Sequence, residues 1–193
     1  NYDPHKTDRI SFFDSIYLFV QRRANIWKYK IISKFIKNGS LLDIGGGNGE
    51  FCSFYKSVGW EVSIQDNSEN ARKYSKNNQL TTYSSLKDIN NKKFNLVTMW
   101  HSLEHIHGVE SLFENIDKLI AIDGVLVVAV PNVDAPERKW YKEYWAPWDA
   151  PRHLYHFNYE QLSKLLLKYG WKIQGSHCMI QDTPYNILLS MKS

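Results

Sequence analysis

Residues 41–49 read Leu-Leu-Asp-Ile-Gly-Gly-Gly-Asn-Gly, and a helical pattern over Glu50–Val58 follows directly. A short buried strand that breaks into glycines and then becomes a helix constrains the fold more than any other stretch of the chain. Glycine permits positive φ and leaves bare backbone against which a ligand can lie. The helix N-terminus behind it offers free N–H groups and partial positive charge to an anionic group.

The flanking pattern repeats this unit. Phe12, Ile16, Phe19, Trp27, Ile31 and Phe35 recur at helical spacing within residues 11–37, and Asn38-Gly39 closes that helix. After Gly59, residues 60–65 read as a strand, 68–78 as a helix, 80–83 as a short strand and 94–100 as a strand. Residues 109–122 read as a helix, Asp123-Gly124 as a turn, and Val125–Val130 as a strand buried on both sides because it lacks polar alternation. Residues 132–157, rich in Pro, Trp and Tyr, read as a long lid with little regular structure. A helix over 159–169, a strand over 171–178 and an apolar last strand or helix over 184–191 complete the pattern. Strands alternating with helices imply a doubly wound, mostly parallel, Rossmann-like sheet flanked by helices, its final strand incomplete or antiparallel. At 193 residues the chain is expected to be one domain. Its parts are a helical cap (1–38), a cofactor-binding core (39–131), the lid (132–157) and a C-terminal helix and strand (158–193).

The loop is not a dinucleotide or triphosphate cradle. Starting from Gly45, G-x-G-x-x-G needs glycine at 50, where Glu50 stands; the phosphate loop needs Gly-Lys-Ser/Thr, where Glu50-Phe51-Cys52 stands. Glu50 would also repel a pyrophosphate. A ligand with a ribose and a modest negative group suits the loop better. Asp66, at the tip of the second strand, is placed to accept hydrogen bonds from ribose hydroxyls. The alternative role for Asp66 is to cap the helix that starts near Ser68.

At this point the chain resembles class I S-adenosylmethionine-dependent methyltransferases. Asp43-x-Gly45-x-Gly47-x-Gly49 looks like their first motif, and Asp66 matches their second-strand acid. Residues 94–106, ending His101-Ser102-Leu103-Glu104-His105-Ile106, resemble the fourth-strand motif of a small-molecule branch with a Leu-Glu-His signature. Residues 122–132, ending Pro131-Asn132, resemble the fifth-strand segment, and residues 145–157 look like that branch as well. Two departures stand out: Asp123 replaces the usual proline or glycine, and Ser84-Ser85-Leu86 replaces an acid after the third strand.

The resemblance implies S-adenosylmethionine as methyl donor and S-adenosylhomocysteine as product. It places Gly45, Gly47, Asp66, Asn67, Leu86, Trp100 and His101 as cofactor contacts. Transfer by in-line displacement chiefly needs alignment, and a hydroxyl acceptor gains from a base. His105, His101 and His153 are the catalytic candidates, because imidazole accepts a proton near neutrality. The competing roles are a ring of His101 over the cofactor, a structural hydrogen bond from His105, and rim positions for His153 and His156 pinned by tyrosine hydroxyls. Glu104 reads as structural or as an acceptor contact. Five bulky aromatics between Trp140 and Trp148 either close over a flat or sugar-like acceptor or plug the lid onto the sheet. Tyr2 and His5 match a pair that folds back over the cofactor in that branch.

Other functions fit less well. His101-x-x-Glu104-His105 spells the inverted zinc-protease motif, but that chemistry needs one helical face, and here the motif leaves a buried strand. No metal is expected, although Glu104 and His105 as ligands in a metal-assisted transfer is a variant of the same reading. Nucleic-acid methylation would call for Asn/Asp-Pro-Pro-Tyr/Phe after the fourth strand, where His101-Ser102-Leu103-Glu104 stands. The net charge of +4 is spread along the chain without a basic stripe. A fold that has lost its activity is a third alternative. Two cysteines in no metal or redox spacing, no membrane-spanning apolar run and no apolar leader lead to the expectation of a cytoplasmic enzyme. It is expected to be a monomer or homodimer acting on a small molecule such as a sugar or a lipid-linked intermediate.

Overall fold

The computed structural model describes residues 12–179, with side chains from residue 19 onward. Tyr2, His5 and the apolar stretch 184–191 lie outside the described residues. The chain divides into two compact units, residues 1–37 and 38–193. The described part of the first is one helix, α1 (Phe12–Ile32).

In the second unit five strands form one sheet: β1 (Ser40–Ile44), β2 (Glu61–Gln65), β3 (Thr81–Tyr83), β4 (Phe94–Trp100) and β5 (Ile120–Ala129). Their order is β3-β2-β1-β4-β5, and every pairing is parallel. The order reverses at β1, so the crevice beyond the carboxyl ends of β1 and β4 is the topological switch point where such sheets bind ligands. The expected doubly wound fold is thus present.

Register assigns the faces. Leu42, Ile44, Val97 and Met99 point to one side, where α4 (Val109–Leu119) sets Leu112, Phe113, Ile116 and Leu119 against them. Leu162, Leu165 and Leu166 of α6 (Tyr159–Lys168) extend that cluster. On the other face, α2 (Glu50–Ser57) buries Phe51, Cys52 and Tyr55, and Phe51 meets Trp100 of β4 edge-on at 5.3 Å. Apolar faces buried on both sides of the sheet are what fix its position. α3 (Glu69–Asn77) is entered through Ser68, whose hydroxyl accepts from Ala71 N.

Four expectations need correction. The helix over 109–122 ends at Leu119, and β5 begins at Ile120, so Asp123-Gly124 lies inside a strand. Phe94 pairs with Ile120 but Leu96 with Val125, and the extra residues bulge outward, leaving Ile122 fully exposed. Val125–Ala129 is half-buried rather than buried on both sides, because among the described residues β5 is an edge strand with β4 as its neighbour. Residues 171–178 form no strand: among the described residues no ladder partner meets them, and a strand without cross-strand pairs is not stabilised. The lid is more regular than expected. It holds α5 (Pro136–Tyr141), opened by a proline at its first turn, and 3-10 turns at Lys142–Tyr144 and Ala146–Trp148.

Candidate active site

The loop after β1 is held by backbone bonds from its neighbours. Gly45 N donates to Gln65 O at 2.7 Å, and Ser75 of α3 donates its hydroxyl to Gly47 O at 3.1 Å. Gly45 and Gly47 have φ of 72° and 54°, in the left-handed region. A Cβ on Gly45 would stand 2.6 Å from Ser102 Cβ, whereas one on Gly47 would meet open space. The loop is therefore open at Gly47 and packed at Gly45. Beneath it, buried Asp43 accepts from Thr98 Oγ1 at 2.6 Å, tying β1 to β4 at the switch point.

Asp66 follows β2 directly. Its Oδ2 accepts from Gly47 N at 2.9 Å and its Oδ1 from Ser68 N at 2.8 Å. It thus braces the glycine loop and shapes the turn into α3, while Ser68 is the helix cap proper. An ionised carboxylate has about four lone-pair sites, so two remain for hydroxyl donors. Asn67 accepts from Gln65 Nε2, and Arg72 donates to the carbonyls of Asp66 and Asn67. Leu86 opens a 3-10 turn beyond β3 that is locked by a capping box between Ser85 and Asp88. The Ser84 hydroxyl and the Ser85 N–H hold the Asp88 carboxyl below its ordinary range. Trp100 ends β4, and His101 N extends the β4–β5 ladder by donating to Ala129 O. Gly45, Gly47, Asp66, Asn67, Leu86, Trp100 and His101 therefore lie along the carboxyl edges of four adjacent strands, β1 to β4. This edge fits a ribose-bearing ligand: an open backbone cradle with a carboxylate beside it.

His101 adopts φ of 51°, and only Leu103–His105 forms a short 3-10 turn. The His-x-x-Glu-His stretch is therefore a strand end and a turn rather than one helical face, so it lacks the geometry of the zinc-protease motif. The lid returns to this turn. Leu154 N donates to Glu104 O, and His105 Nδ1 lies 2.9 Å from Arg152 O. The rings of His105 and His153 meet edge-on with centroids 4.7 Å apart. Backbone carbonyls, not tyrosine hydroxyls, pin the lid histidines: His153 Nδ1 lies 2.8 Å from Pro147 O, and His156 Nε2 2.9 Å from Trp148 O. Trp145 is buried, whereas Trp140 and Tyr144 are exposed. The aromatic cluster is thus part plug and part open surface.

Glu104 is the feature the sequence undervalued. Its side chain is 1% exposed, and neither carboxylate oxygen has a hydrogen-bond partner among the described residues. Asp149 was also missed; its carboxylate binds Arg152 and stands 3.7 Å from His153 Nε2. Nothing in local spacing marks Asp149, because the lid's fold brings it there.

The family described as "Methyltransferase domain" matches residues 19–175. The chain belongs to that family. With membership come methyl transfer as its activity and S-adenosylmethionine as its donor. No protein of curated function matches it in sequence. Among solved structures it is similar to an S-adenosylmethionine-dependent methyltransferase from Archaeoglobus fulgidus, at 21% identity and TM-score 0.60 over 91% of both chains. It is also similar to one from Thermotoga maritima described as a possible histamine N-methyltransferase, at 15% identity and TM-score 0.63 over 82% of this chain and 76% of that one. The cyclopropane synthase MmaA2 of Mycobacterium tuberculosis aligns at 15% identity and TM-score 0.65 over 86% and 67%. At these identities the likeness is one of fold. Among the described residues no helix is long and apolar enough to cross a membrane.

Proposed function

We propose that this methyltransferase acts on a small-molecule acceptor, a sugar or lipid-linked intermediate, in the cytoplasm. The family match spans both compact units, which supports reading the chain as one domain with an N-terminal helical cap. The observation that carries the site is the row at the sheet's carboxyl edge, where Asp66 joins the glycine loop by its bond to Gly47 N. Gly45 and Gly47 give backbone to the donor, Asp66 and Asn67 hold its ribose, and Leu86, Trp100 and His101 border its base and sulfur ends. The bound donor supplies an activated methyl on a sulfonium centre. The chain's task is then to align the acceptor within about 3–3.5 Å and to take its proton.

The histidines suit that second task. A ring nitrogen facing a carbonyl must carry the hydrogen, since a carbonyl only accepts. His105 and His153 each face a carbonyl through Nδ1, so each keeps an Nε2 lone pair for an acceptor hydroxyl. His101, which follows β4 directly, is the third candidate. The exposed Trp140 and Tyr144 offer flat faces for a sugar-like acceptor.

Calorimetric titration tests the donor site. S-adenosylmethionine and S-adenosylhomocysteine are expected to bind, NAD not to bind, and Asp66→Ala to weaken both by at least tenfold. A folded protein that binds neither overturns the reading. Transfer of labelled methyl to a panel of sugar and lipid-linked acceptors then identifies the acceptor class.

A further inference from the structure

We propose that Glu104, His105 and His153 form a binding site for a divalent transition ion of the zinc type, beside the donor site. One carboxylate oxygen of Glu104 and one ring nitrogen from each histidine lie within 4.8 Å of one another. Three protein ligands of this kind, two imidazoles and a carboxylate, make a site that keeps a position open for a substrate. Around a tetrahedral ion with bonds of ~2.0–2.1 Å, donor atoms stand about 3.4 Å apart. The triad is thus nearly assembled, and small rotamer changes complete it.

Two further observations point to a ligand. A carboxylate removed from water without a partner is costly. Glu104 is such a group, with both oxygens inaccessible and without a hydrogen-bond partner among the described residues. His101 Nδ1 stands 3.6 Å from Oε1, beyond hydrogen-bond length. The second observation is the state of the histidines. Ligand histidines characteristically donate the other ring N–H to a carbonyl or carboxylate, which fixes the tautomer and turns the lone pair to the metal. Both rings do so here, His105 to Arg152 O and His153 to Pro147 O. The carbonyls come from the lid, so the segments that form the site also orient it. Imidazole and carboxylate donors suit zinc or cobalt better than magnesium.

Binding itself does not depend on the methyl-transfer reading, but its role there rests on it: the ion polarises an acceptor hydroxyl on its open side. In that case the Nε2 lone pairs hold the ion rather than take the proton.

The full chain, stripped with chelator, is titrated with Co2+ and followed by its visible d–d bands, then competed with Zn2+. One ion per chain with micromolar or tighter affinity is expected. Glu104→Gln and His153→Ala should each weaken binding by at least tenfold, with the circular-dichroism spectrum unchanged. His177→Ala, at an exposed histidine outside the triad, should leave it unchanged. No bound ion on the folded protein, or binding that survives both triad variants, overturns the proposal. Titration with S-adenosylmethionine runs in parallel: normal donor binding without metal binding defeats the metal site alone, and metal binding without donor binding defeats the functional reading alone.

Discussion

Gly45 and Gly47 share a backbone conformation but not an environment, and this separates folding from binding at single residues. Any side chain at Gly45 takes on left-handed strain and a 2.6 Å approach to Ser102 Cβ. Gly45→Ala should therefore cost about 2–5 kcal/mol, the sum of strain and overpacking. Gly47→Ala meets only strain, about 1–2 kcal/mol. Its methyl points into open space, where we place the donor, so it should weaken donor binding at least tenfold while the protein stays folded. Urea unfolding and calorimetry on the pair test this, and equal effects on both quantities would contradict the assignment. The positive φ of both was legible in the sequence, because glycines that break a buried strand before a helix signal a left-handed turn. Asp66 was legible for its position, but its bonds to Gly47 and Ser68 were not, since they depend on how two loops meet. Glu104 and His105 were legible as a ligand pair because they are neighbours in sequence, but His153 was not joined to them: the lid brings it there, and no local spacing records that approach.

At the level of elements, α4 carries the largest share of one face. Leu112, Phe113, Ile116 and Leu119 are all buried, and Phe113 stacks on Tyr169 with centroids 4.4 Å apart. Phe113→Ala should cost about 3–5 kcal/mol, as large-to-small changes in a packed core do. Ser111→Ala, on the exposed side, should stay within about 0.5 kcal/mol. Denaturant midpoints on the two variants measure the contrast. This helix, β1, β2 and β4 were readable because their apolar periods are long or their runs fully buried. The α4–β5 boundary was not, because Ile120 and Ile122 continue the helical spacing although the backbone has turned extended at Ile120. The short lid helices escaped notice because six residues, or three, hold too few positions to show a period. Residues 171–178 show the opposite error: they read as a strand, but among the described residues no strand pairs with them.

Across the whole sheet, the site we propose for the donor depends on β1, β2 and β4 staying registered, and Cys52 reports on that state. It lies on α2 beneath the glycine loop, fully buried, with Sγ 3.9 Å from Ser63 O of β2. Burial, and then the nearby Asp43 carboxylate, raises its thiol well above 9.0. A buried, neutral thiol is inert, because the thiolate is the nucleophile. Cys178 is exposed and serves as an internal reference. Under native conditions a disulfide reagent should thus modify Cys178 rapidly and Cys52 only through unfolding. The raised value also sets a pH dependence. The unfolded thiol begins to ionise near 9.0 while the folded one stays neutral, so stability holds below that pH and falls as pH climbs toward the folded value. Donor binding should protect the same thiol, since a ligand that binds only the folded state stabilises it by about 2.7 kcal/mol at a hundred times its dissociation constant. Labelling of Cys52 through global opening should then slow by about 100-fold with S-adenosylmethionine, and Cys178 should not change. Equal slowing of both would mean the ligand screens the reagent. No slowing of Cys52, with donor binding established by calorimetry, would mean that α2 opens without disturbing the site, and that the glycine loop is held by β1 and Asp66 alone.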